Sequence, residues 1–100
     1  MGIMNKTYVF ITSTKDRWEV PVYVIAEHRA THYMPEFGND LARSLVEDTV
    51  PLFESNPDEI RDWAQNNMDW DEVYMHATRV DKGSVDMQKE WTSADYVSIM

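Results

Sequence analysis

His28 and His32 stand four residues apart in a stretch with helical periodicity, so both imidazoles can face one metal ion, as in helical zinc sites. In the zinc-protease version of that pattern a glutamate directly follows the first histidine. Here the position holds Arg29, whose charge disfavours a bound cation. A third ligand would have to come from Glu27, His76 or a more distant acid. The plainer alternative is two surface or half-buried histidines on an amphipathic helix. Paired acids are the other resource, notably Asp58/Asp62 and Asp69/Glu72, each at helical-neighbour spacing. Two close carboxylates can share a proton for acid–base work or hold Mg²⁺ or Ca²⁺. Asp58 and Glu59, however, also suit the electropositive start of a helix, and Asp69–Glu72 lacks the glycine and spacing of an EF-hand loop. No catalytic residue and no cofactor is assigned on this basis.

The well-marked enzyme classes are excluded. Gly2, Gly38 and Gly83 lie too far apart for a dinucleotide or Walker loop, and no serine sits in G-x-S-x-G. With no cysteine there is no thiolate nucleophile, thiolate metal site or disulfide. The question of enzymatic activity stays open, with the balance toward a non-enzyme.

Charge is the more informative signal. The 100 residues carry a formal charge of −9, almost all of it in the middle third. Residues 35–72 hold eleven acids, opposed only by Arg43 and Arg61. Such a field repels nucleic-acid phosphates and anionic membranes and attracts basic surfaces. Within it, Asp58, Glu59, Asp62, Asp69, Asp71 and Glu72 surround the stretch containing Trp70. An indole rimmed by carboxylates is how a contact for a basic partner is built, although tryptophan is more often core. These seven residues form the candidate partner-binding set.

The elements that must position them read as one α+β domain over residues 1–100. Hydrophobic residues at 43% and aromatics at 12% argue against disorder, and no apolar run is long enough to span a bilayer. Tyr8–Thr14 reads as a strand, Lys15-Asp16 as a turn and Arg17–Val20 as the return strand of a hairpin. Pro21 suits the first position of a helix over 21–34, with Val22, Ile25, Ala26, Ala30 and Tyr33 on one stripe alongside Arg29. Met34-Pro35 ends that helix, Gly38 breaks the chain, and Asn39 or Asp40 caps a second helix carrying Leu41, Leu45, Val46 and Thr49, which should stop before Pro51. Asn56-Pro57-Asp58-Glu59 predicts a capping box for a third helix with Ile60, Trp63 and Ala64 inward, ending at Asn66-Asn67. Asp69–Glu72 starts a further turn. Tyr74–Val80 and Val85–Trp91 read as strands, and 93–100 as a helical or frayed tail. The expected architecture is a small antiparallel sheet, the N-terminal hairpin plus a C-terminal strand, with two or three helices on one face.

The stretch from Trp18 to Trp70 resembles a family of small proteins of tailed bacteriophages, cyanophages among them. The matching pieces are Trp18-Glu19-Val20-Pro21 leading into Ala26-Glu27-His28-Arg29-Ala30, then Ser44–Thr49 with Pro51-Leu52-Phe53-Glu54, then Asp62-Trp63-Ala64 with Asn66–Trp70. The resemblance implies a viral accessory protein made in the host cytoplasm and assigns no catalytic residue. Together with the charge it leads to one principal expectation: a non-enzymatic acidic protein that docks on a basic surface of a host protein, in the strong form a nucleic-acid-binding surface, without binding nucleic acid or membrane itself. A metal protein or enzyme built on His28 and His32, and a minor virion structural or assembly component, stand as alternatives. Self-association through open sheet edges is compatible with each.

Overall fold

The computed structural model describes residues 2–12, 17–79, 90–92, 94 and 96–100. The class is α+β, as expected. Strands β1 (Thr7–Ile11), β2 (Arg17–Pro21), β3 (Thr78–Arg79) and β4 (Tyr96–Ile99) form one sheet in the order β3-β2-β1-β4. All its pairings are antiparallel, with Phe10 opposite Trp18 and Tyr8 opposite both Val20 and Ile99. Alternation places Tyr8 and Phe10 on one face. There they join Val20 and the apolar sides of the helices in a single core.

The hairpin is present, while the turn at Lys15-Asp16 and the strand end at Ser13-Thr14 lie outside the described residues. Pro21 differs from expectation. It is the last residue of β2, paired with Thr7, and the residue before helix α1 (Val22–Tyr33). Lacking an N–H, it ends the strand without an unmet donor, and Val22 N donates to Lys6 O at 3.0 Å. The α1 stripe is as read: Val22, Ile25, Ala26 and Ala30 are fully buried. The helix tightens into a 3-10 turn over Met34–Phe37, and Gly38 leaves it at φ 70°, a left-handed conformation glycine adopts without a Cβ clash.

Asp40 caps helix α2 (Leu41–Ser44), accepting a bond from Arg43 N at 3.1 Å. The helix does not stop before Pro51. A π turn over Leu45–Thr49 carries it into α3 (Val50–Ser55), so Phe53 is buried from within a helix rather than from a connection. A proline ring clashes with the carbonyl four residues back in an ordinary helix, and the widened turn immediately upstream relieves that clash. The widened turn shifts the helix phase, and Val46, expected inward, is exposed; Leu41, ahead of the turn, is exposed as well. Thr49 is buried as expected, and Ser44 is fully buried beside it against α1. Ser44 Oγ donates to Ala30 O at 2.9 Å, and Arg29 Nη1 reaches Asp48 Oδ2 and Thr49 Oγ1, each at 2.9 Å. Buried polar groups on this face are therefore satisfied.

Helix α4 (Asp58–Asn67) buries Ile60, Trp63 and Ala64, as its spacing predicts, but no side-chain cap forms at its start. Glu59 N instead donates to the Asn56 carbonyl at 3.0 Å. The capping box lies one element later, where Asp69 and Glu72 embrace the short α5 (Trp70–Val73). The C-terminal third corrects the sequence reading most. Tyr74–His76 is a 3-10 turn, only Thr78–Arg79 of the expected strand pairs, and Val80–Lys89 lies outside the described residues. Trp91 is helical, and the tail is strand β4, pairing Tyr96–Ile99 with β1. Tyr8, Phe10, Trp18, Trp70 and Trp91 pack ring on ring beneath the sheet, with neighbouring centroids 5.1–6.3 Å apart. The Tyr8 hydroxyl is buried there without a partner among the described residues, and this burial pushes its pKa well above the ordinary phenol value.

Candidate functional site

Helix α1 presents one further face, that of Tyr23, Glu27, Thr31 and their neighbours, toward a cleft of about 490 Å³. Opposite stand Met68, Glu72 of α5 and His76 of the following 3-10 turn. His28 and His32 line it too, so the fold gathers every histidine of the chain around one opening. Among the described residues no lysine or arginine lines it. The volume falls within the ~300–1,000 Å³ typical of small-ligand pockets.

His28 is the joint of this region. Its Nδ1 lies 3.0 Å from Trp63 Nε1 on α4, and its Nε2 lies 2.9 Å from Glu72 Oε2 on α5. An indole N–H can only donate, so Nδ1 must be the unprotonated nitrogen, and Nε2–H donates to the carboxylate. One imidazole thus ties three helices together in a defined tautomer, with both nitrogens engaged. That engagement removes His28 from metal ligation. Among the described residues no group of three histidines and acids is placed to hold a metal ion, so the His28/His32 pairing is not extended into a site. His32 is exposed, its ring edge-on to Tyr33 and tilted against Trp63.

Glu72 accepts from Asp69 N at 2.8 Å through Oε1 and from His28 through Oε2. The Asp69 backbone bond is the main cause holding its pKa below 4.5; partial burial opposes it and the His28 bond adds to it. A carboxylate with a lowered folded-state pKa stabilises the fold above its unfolded value, and this contribution disappears as pH falls through the folded one. Glu72→Gln should therefore flatten the loss of stability below about pH 4.5 while leaving its slope near pH 7 unchanged. Urea midpoints measured between about pH 3 and 7 check this; an acid limb equal to wild type would contradict it.

The structure divides the candidate docking residues. Asp58, Glu59 and Asp62 line one shallow depression of about 390 Å³ with Arg61, Gln65 and Asn66. Asp58 and Asp62 are exposed, Glu59 is partly so, and none of the three is in an ion pair among the described residues. Neither arginine of the acidic third forms an ion pair with them, although Arg61 lines the same depression. Arg43 pairs with Glu47, and Arg61 donates inward to the Ala94 carbonyl at 2.9 Å. On α5, Asp71 is exposed, whereas Asp69 is engaged in the capping box and Glu72 in the His28 joint. Trp70 is half-buried, its ring edge-on to Trp18 at 5.1 Å and to Phe10 at 6.1 Å. It is packed against core rings, with part of its surface left to solvent.

What sequence reasoning missed is the cleft itself. Tyr23, Glu27 and Thr31 recur four apart on one side of α1, a spacing that marks a shared face, but its opposite wall comes from residues 37 to 53 positions away. The fold and site together define a small α+β protein with a mixed-polarity cleft and a separate acidic depression. No family model, curated protein or solved structure matches the chain. Among the described residues no helix is long and apolar enough to cross a membrane.

Proposed function

We propose that the protein is a non-enzymatic binding protein that docks on a basic surface of a host protein. The observation that carries this reading is the set of acids on α4, exposed Asp58 and Asp62 with partly exposed Glu59, none of them in an ion pair among the described residues. Charges left without a counter-ion give solubility, but a concentrated group of one sign also steers and holds a partner of the other. The resemblance to small tailed-phage proteins supplies the setting: an accessory factor acting in the host cytoplasm. In the strong form the carboxylates imitate a row of phosphates and occupy a surface meant for nucleic acid.

Capture from host lysate at low and high salt tests the reading. Wild type should retain a specific host protein at low salt, release it at high salt, and lose it in an Asp58→Asn/Glu59→Gln/Asp62→Asn variant. Retention that is insensitive to both salt and these substitutions would overturn it. The engagement of both His28 nitrogens speaks against the metal-protein alternative.

A further inference from the structure

We infer that the cleft between α1 and α5 receives an arginine side chain of the docked partner. The inference rests on the docking reading above and adds a specific anchor to it. Two carboxylates, Glu27 and Glu72, and three imidazoles, His28, His32 and His76, stand on the wall, with no lysine or arginine among the described residues. The two carboxylates give the cleft a negative lining. Glu72 is already held by Asp69 N and His28, whereas Glu27 is exposed and its carboxylate has no partner among the described residues. The vacant acceptor is therefore Glu27, and a carboxylate takes a guanidinium through two parallel bonds.

The rest of the wall favours a planar cation over a compact one. Tyr23 is 42% exposed and offers its ring, and His32 and Met68 add flat or polarizable surface. Guanidinium stacks on such surfaces and is more weakly hydrated than an ammonium group, so arginine enters at lower desolvation cost than lysine. The space of about 490 Å³ accommodates one long side chain.

The test uses the intact protein and a tri-arginine peptide, compared with tri-lysine, tri-citrulline and spermidine, by calorimetry and amide chemical shifts. At neutral pH tri-arginine should bind, with shifts concentrated at residues 23–32 and 72–76, and tri-citrulline should not. Glu27→Gln, at an exposed position whose folding is checked by circular dichroism, should weaken tri-arginine about ten-fold. Equal affinity for tri-citrulline, or an unaffected Glu27→Gln variant, would overturn the assignment. Spermidine binding as tightly as tri-arginine would overturn the choice of a protein side chain as occupant. Host-protein capture separates the two claims. Loss of capture in the α4 triple variant with full retention in Glu27→Gln sinks the cleft assignment and leaves the docking reading standing. Salt-insensitive capture in every variant sinks both.

Discussion

Replacing Trp91 with alanine should lower the unfolding free energy by about 3–5 kcal/mol, the range for deleting a large buried aromatic. The side chain is fully buried, 5.3 Å from the rings of both Tyr8 and Phe10, and its Nε1 donates to Met68 O at 3.1 Å. Truncation removes the largest ring beneath β1 and leaves the Met68 carbonyl without that donor. A domain's whole stability is only about 5–15 kcal/mol, so the variant should be marginal at 25 °C. Trp91→Phe keeps a ring and loses the N–H, and should cost clearly less. Urea denaturation of the pair measures both. A loss under about 1.5 kcal/mol for Trp91→Ala would mean that the 90–92 turn does not close the core as described.

Arg29→Ala should cost about 2–3 kcal/mol, at or below the lower end for breaking a buried ion pair, because Asp48 keeps partial access to water. The guanidinium is largely buried, bonds both Asp48 and Thr49, and lies 4.7 Å over the Tyr33 ring. Its removal leaves the Thr49 hydroxyl and a half-buried carboxylate without their cation, at the junction of α1 with the π turn. Asp48→Asn alone should cost less, and the double variant should cost less than the two losses added together, since both changes break one interaction. Additive losses in that cycle would contradict a direct pair. Arg29 also explains part of the charge map: Asp48 is neutralised within the fold, so it does not contribute to a docking surface.

The sequence was most legible where local rules act alone. Val22, Ile25, Ala26 and Ala30 marked the buried side of α1, and Met34-Pro35 and Gly38 marked its end, because helical period, proline and glycine impose geometry within a few residues. It was misleading at Pro51. The rule that proline ends a helix assumes a four-residue repeat, and the π turn over Leu45–Thr49 changes the repeat and turns Val46 outward. The tail was misread for a different reason. Tyr96–Ile99 becomes a strand by pairing with β1 across nearly ninety positions, which local composition does not encode. The acidic third was plain in the sequence, but its division was not. Whether a carboxylate faces solvent, as Asp58 does, or closes a capping box and a histidine joint, as Glu72 does, depends on partners such as His28 that lie 44 residues away.

The central claim is that the unpaired acids of α4 hold a basic partner by charge. Calorimetric affinities for the purified captured partner, measured between about 0.05 and 0.5 M salt, test it most directly, since screening shortens from over ten to a few ångströms across that range. Wild-type affinity should fall at least about ten-fold, and the Asp58→Asn/Glu59→Gln/Asp62→Asn variant should bind weakly with a much flatter dependence. Equal slopes for the two proteins, or an affinity that does not change with salt, would contradict the account.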